Sequence, residues 1–228
     1  MRTDIDQLSV KKAYARWAPV YDLVFGSLFD RGRRAAVIAA DRVGGRILEV
    51  GVGTGISLAD YSSDNRIVGV DLSEEMLRRA RERVSELALT NVQLETMDAE
   101  NLAFPDNSFD VVVALYVVST VPNPQAALDE FARVTKPGGK IILANRVGAQ
   151  AGFRRSVEEI LRPIVCRLGW RLDFSWDHFA DWIARSPEIQ LIERRPMPPF
   201  DHFSLLRFGK GMPKAYPQPV DQPIRLSH

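Results

Sequence analysis

The stretch Glu49-Val50-Gly51-Val52-Gly53-Thr54-Gly55 closes an aliphatic run with three glycines at alternate positions. Glycine lets a backbone turn sharply and pass close to a ligand, so a strand ending in such a loop, with a helix expected after it, marks the binding edge of an open α/β sheet. The spacing is Gly-x-Gly-x-Gly, and Ile56 stands where a dinucleotide fingerprint would place its third glycine. No Gly-Lys-Ser/Thr follows, which excludes a phosphate-cradling P-loop. A pyrophosphate ligand is disfavoured.

The surrounding pattern agrees with a sheet of this kind. Residues 46–50, 66–70, 92–95, 110–115 and 140–144 are short β-branched or aliphatic runs bounded by Gly, Pro, Asp or Asn, and they read as strands. Residues 73–87 begin with a Ser N-cap and two acids, then place Met76, Leu77, Ala80, Val84 and Leu87 on one helical face. Residues 124–134 repeat the pattern, with Pro124 at the start and the breaker Pro137-Gly138-Gly139 past the end. Strand and helix in alternation predict parallel βαβ units and a doubly wound sheet. Farther on, Phe153 to Leu168 carry apolar residues at helical spacing around Pro163; 177–184 reads as a short helix, and 189–193 with 203–208 as a terminal hairpin.

The second strand ends in Asp71, 20 residues after Gly51, where a doubly wound fold offers a carboxylate to ribose hydroxyls. Asp98-Ala99 follows the third strand, placed for a carboxylate and a backbone amide to meet the edge of an adenine ring, with Leu72 and Met76 available to its faces. Acids at consecutive strand ends imply a nucleoside.

These residues, together with Phe104-Pro105-Asp106-Asn107-Ser108-Phe109-Asp110 and Lys136-Pro137-Gly138-Gly139, resemble the class I S-adenosylmethionine-dependent methyltransferases over roughly residues 45–145. The resemblance implies a Rossmann-like α/β fold, a seven-stranded sheet of order 3-2-1-4-5-7-6 with the seventh strand antiparallel. It also implies S-adenosylmethionine as cofactor and S-adenosylhomocysteine as product. The loop of Gly51, Gly53, Thr54 and Gly55 would hold the methionine part, Asp71 the ribose, and Asp98 with Ala99 the adenine, flanked by Leu72 and Met76; Glu49 and Leu115 complete the expected cofactor-binding set.

The acceptor side must be read from the flanks. Tyr14, Trp17, Ala18 and Tyr21 form one aromatic face if helical, a lid over the site. Tyr116, at the end of the fourth strand, adds a phenol where an acceptor would meet the methyl group, and aromatic faces suit an amine that gains positive charge. Asn145-Arg146 supplies an amide and a guanidinium suited to phosphate. With 14–22, 115–123 and 144–146, the complete chain resembles the soluble bacterial phosphatidylethanolamine N-methyltransferases. That likeness implies a phospholipid substrate methylated stepwise to phosphatidylcholine. Tyr14, Tyr21, His202 or bound water is the expected proton acceptor. A quinone-ring or soluble-amine methyltransferase, and a cofactor-sensing module without turnover, are the alternatives.

Charge distribution bears on how a lipid would be reached. The chain holds 30 basic and 29 acidic residues, but residues 1–46 carry a net +4, residues 47–144 a net −7, and residues 145–228 a net +4. Arg31, Arg33 and Arg34 follow the apolar run 23–29, and Arg154, Arg155, Arg162 and Arg167 border the apolar stripe of 153–168. Each basic residue near an anionic leaflet contributes about 1 kcal/mol, so peripheral contact with an anionic membrane surface is expected. The organisation expected is a lid and membrane-facing segment over 1–45, a cofactor core over 46–146, elements completing the same domain over 147–209, and a Pro-rich tail over 210–228.

Other classes are set aside by what the chain lacks. Its single cysteine excludes a disulfide framework, and three histidines without ligand spacing argue against a metal. The longest uncharged apolar run, 111–118, is far short of the roughly 20 residues that span a bilayer. The polar first dozen residues carry no signal-peptide core, so a cytoplasmic protein at the inner membrane face is expected. No Asn/Asp-Pro-Pro-Tyr/Phe stretch follows the fourth strand, which speaks against a nucleic-acid partner; no obligate protein partner is inferred.

Overall fold

The computed structural model describes residues 30–146, 174–197 and 203–211. In chain order these form α1 (Asp30–Asp41), β1 (Arg46–Val50), β2 (Arg66–Asp71), α2 (Glu74–Glu86), β3 (Val92–Thr96) and β4 (Phe109–Leu115). There follow α3 (Pro124–Val134), β5 (Thr135–Arg146), α4 (Asp177–Arg185), β6 (Ile189–Met197) and β7 (Phe203–Lys210). The strands make one sheet of order β3-β2-β1-β4-β5-β7-β6, with β7 antiparallel to both of its neighbours. The order reverses between β1 and β4, where Leu48 lies opposite Val68 on one side and Val112 on the other. Ligands bind at such a switch point.

Period-two alternation divides the strand residues between two cores. Ile47, Ile67, Val111, Val113 and Ile142 pack under α1 and Leu77 of α2; Leu48, Val68, Val112, Ile141 and Leu143 pack with α3 and with Phe179 and Trp182 of α4. The helix ends follow local chemistry. Ser73 Oγ accepts the Met76 amide at 3.4 Å to cap α2, and Asn123 Oδ1 accepts the Ala126 amide at 3.2 Å ahead of Pro124 in α3. Arg133 then pins the 102–104 segment by donating to the carbonyls of Leu102 at 2.8 Å and Phe104 at 2.7 Å.

Several expectations are corrected. No α-helix follows the glycine loop: a single 3-10 turn, Leu58–Asp60, ends at an extended Tyr61, because the Ser57 hydroxyl is spent on Glu49 rather than on a cap and the polar run 62–65 breaks the chain. Leu87 is 50% exposed, since α2 ends at Glu86 and its cap residue leaves the apolar face. The Pro137-Gly138-Gly139 breaker does lie past the end of α3, but the fifth strand starts at Thr135 rather than at 140, so the breaker falls inside β5 as an irregularity between the Phe109–Thr135 and Val111–Lys140 pairings. Arg33 is not a surface cation: it is 8% exposed, ion-paired to Asp30 and bonded through Nε to Asp60 at 3.3 Å. The expected lid at 14–22, the stripe at 153–168 and the tail beyond 211 lie outside the described residues.

Candidate active site

At the carboxyl ends of β1, β2 and β4 a cleft encloses about 830 Å³ of space continuous with solvent. Val50, Gly51 and Gly53 form one wall. Asp71, Leu72, Ser73 and Met76 form a second, Met97, Asp98 and Ala99 a third, and Leu115, Tyr116 and Val117 with Thr120, Val121 and Pro122 close the remainder.

The loop glycines serve different ends. A Cβ on Gly51 would meet Val117 Cγ2 at 2.1 Å, so this glycine is what allows β1's loop to pass against the end of β4. Gly53 has φ +57 and nothing within 4 Å of its would-be Cβ, so it leaves open space on the cleft side. Asp71 braces the loop from β2: Oδ2 accepts the Gly53 amide at 2.9 Å and Oδ1 accepts the Ser73 amide at 2.8 Å. Burial pushes the Asp71 carboxyl above its ordinary pKa, opposed by those backbone donors. A carboxylate has about four acceptor positions, so each oxygen keeps capacity for a ribose hydroxyl. Asp98 Oδ1 accepts the Glu100 amide at 3.0 Å at the opposite wall.

Not every expected residue reaches the cleft. Alternation along β1 turns Val50 toward it and Glu49 to the other face, under α1 and the 3-10 turn. There Glu49 is 1% exposed, accepts from Ser57 Oγ at 2.6 Å, and has its pKa raised by burial to about 7. Thr54 is buried, with its carbonyl accepting from Arg83 at 2.9 Å, and Gly55 packs against Ala80 of α2. Asn145 is fully buried and accepts from Ser119 Oγ at 3.3 Å; it is not among the lining residues. Arg146 ends β5 opposite Phe203. Tyr14, Tyr21 and His202 lie outside the described residues.

Tyr116 is held in the lining by several constraints. It sits at φ +64, donates its amide to Ala144 at 2.6 Å, and sets its ring edge-on to Phe203 at 5.5 Å. Burial pushes its phenol well above the ordinary tyrosine range, so it is neutral at physiological pH. Val50, Ser73, Met97, Val117 and the turn Thr120, Val121, Pro122 were missed as site residues. The signal for the last three was their position just after β4, at the edge where open sheets bind ligands.

Known proteins point the same way. The methyltransferase domain family matches residues 48–143. The chain is 41% identical over 203 residues to a phosphatidylethanolamine N-methyltransferase of Cereibacter sphaeroides, covering 89% of this chain and 98% of that one. It is 32% identical over 135 residues, 57% of its length and 53% of the relative's, to the ubiquinone/menaquinone biosynthesis C-methyltransferase UbiE of Pseudomonas fluorescens. A solved structure of a SAM-dependent methyltransferase from Thermotoga maritima, a possible histamine N-methyltransferase, superposes with TM-score 0.66 at 25% identity, over 87% of this chain and 99% of that one.

The strand order and the glycine cradle braced by Asp71 at the switch point define a class I methyltransferase. Its cofactor is S-adenosylmethionine, which the open space at Gly53, the acceptor capacity of Asp71 and the apolar Leu72 and Met76 all fit. The chain belongs to the S-adenosylmethionine-dependent methyltransferase family that contains the Cereibacter phosphatidylethanolamine N-methyltransferase.

Proposed function

We propose that this enzyme methylates the amine of phosphatidylethanolamine, then its monomethyl and dimethyl derivatives, to give phosphatidylcholine. The 41% identity across 89% of the chain carries this reading. Bound S-adenosylmethionine supplies an electrophilic methyl group on a sulfonium for in-line displacement. Asp71 would receive the ribose hydroxyls, Asp98 and the Ala99 amide would meet the adenine edge, Leu72 and Met76 would flank its faces, and Gly51 and Gly53 with Leu115 would orient the methionine end. Holding two reactants in line is the larger part of what the protein contributes.

An ammonium has no lone pair, so the lipid amine must first lose a proton. Tyr14, Tyr21, His202 or water receives it. Tyr116, with its phenol pushed far above neutral pH, serves instead as an aromatic wall beside a nitrogen whose positive charge grows with methylation. Arg146 pairs with the phosphodiester.

The lipid is reached by peripheral contact with an anionic surface at the inner face of the cytoplasmic membrane. Arg31, Arg34 and Ile38 are exposed at positions i, i+3 and i+7 of α1, and Arg42 is exposed in the turn just past its end, a basic edge with Ile38 54% exposed at its centre. Among the described residues no helix is long and apolar enough to cross a membrane. Incubation with labelled S-adenosylmethionine and phosphatidylethanolamine vesicles, followed by thin-layer separation, tests the reading. Label is expected in the methylated lipids; label in a quinone precursor with none in lipid overturns it.

A further inference from the structure

We infer that Gly32 of α1 is a positioning residue for the acceptor end of the cleft: it seats the Tyr116 hydroxyl and thereby fixes the wall against which the acceptor lies. The inference rests on the reading that the acceptor enters beside Tyr116. Glycine within a helix is less favourable than alanine by about 1 kcal/mol, so its presence in α1 calls for a close approach. The approach is there. A Cβ on Gly32 would stand 2.3 Å from Tyr116 Oη, but 3.5 Å from Cζ of the same ring and 3.9 Å from Ala144 Cβ. Only the hydroxyl is in the way.

Neither partner is free to retreat. Gly32 is held beside Arg33, which is buried and bonded to Asp60 at 3.3 Å, so α1 is tied down next to the contact. Tyr116 is tied by its amide to Ala144 at 2.6 Å and by its ring edge to Phe203 at 5.5 Å. Tyr116 lines the cleft, so a ring pushed off its seat alters the wall that it forms. Two locally unfavourable choices, a helical glycine and a non-glycine residue at φ +64, meet at one contact. A strained backbone such as that of Tyr116 persists only where its surroundings hold it, and such residues cluster at binding sites, where they pre-organise a wall.

The test is a double-mutant cycle with Gly32→Ala and Tyr116→Phe, reading acceptor KM and kcat alongside cofactor Kd by calorimetry. Gly32→Ala is expected to raise acceptor KM roughly tenfold while cofactor Kd stays within about twofold, the split that marks lost acceptor positioning. In the double variant acceptor KM should return to the level of Tyr116→Phe alone, because a methyl 3.5 Å from Cζ is in ordinary contact. An unchanged KM in Gly32→Ala, or a double variant no better than Gly32→Ala, overturns the inference. Should Gly32→Ala fail to fold, a double variant that folds and binds cofactor supports the seat, and one equally unfolded overturns it. Failure of the wild-type enzyme to label phosphatidylethanolamine defeats the lipid reading alone; the KM comparison is then made on the acceptor that is labelled.

Discussion

Asp71 and Gly53 join two walls of the cleft, the carboxylate of one accepting the amide of the other at 2.9 Å. Because the second oxygen of Asp71 takes the Ser73 amide at 2.8 Å, one side chain ties the loop after β1 to the entry of α2. The same carboxylate is the proposed ribose ligand, so loop geometry and cofactor affinity depend on a single residue.

Replacing Asp71 by Asn keeps one acceptor oxygen but turns an NH2 group toward a backbone donor. Cofactor Kd should rise roughly 30-fold, corresponding to about 2 kcal/mol for a lost charge-assisted hydrogen bond. Titration calorimetry with S-adenosylhomocysteine checks this, and an unchanged Kd would remove Asp71 from the ribose site.

Gly51 and Gly53 should separate folding from binding. Gly51→Ala drives a methyl into Val117 and is expected to lower stability by roughly 2 kcal/mol or more. Gly53→Ala meets nothing within 4 Å, so it should cost only about 1 kcal/mol for its left-handed backbone while weakening cofactor binding much more. Urea melts and cofactor titrations on both variants decide, and equal effects on binding and stability in the pair would contradict this division.

Glu49 should make stability fall as pH rises. Its carboxyl has a pKa of about 7 in the fold against an ordinary 4.5, mainly through burial, so the folded state holds the proton more tightly. The contribution is complete below about pH 4.5 and lost through pH 7, a loss of roughly 3 kcal/mol. Glu49→Gln removes the titration, so between pH 5 and pH 8 its unfolding free energy should drop less than that of the wild type. Parallel pH profiles for the two would contradict it.

The arginines of α1 and of the turn that follows it should divide into two kinds. Arg31→Glu combined with Arg42→Glu is expected to weaken sedimentation with anionic vesicles by roughly 30-fold, at about 1 kcal/mol for each basic residue removed, without lowering the melting temperature. Arg33→Ala should do the reverse, since it strips a buried partner from Asp30 and Asp60. Unaltered sedimentation of the first variant would take α1 off the membrane surface.

The strands, α2, α3 and the terminal hairpin were legible because each has a local signature: aliphatic runs between breakers, a Ser73 or Asn123 cap, and alternation of helix with strand. The position of Gly51, Gly53, Asp71 and Asp98 on the cleft wall was legible for the same reason, since it follows directly from where strands end. Sequence alone therefore determined the fold class and the edge of the sheet that carries the cleft. The tertiary structure decided that Glu49 lies on the face away from the cleft, that Arg33 is an internal ion-pair partner, and that Gly32 and Tyr116 meet. A local pattern reports which face of an element is apolar. It carries no record of which atoms touch when two distant elements pack, and close packing leaves a charge, a glycine or a hydroxyl its role only through those contacts.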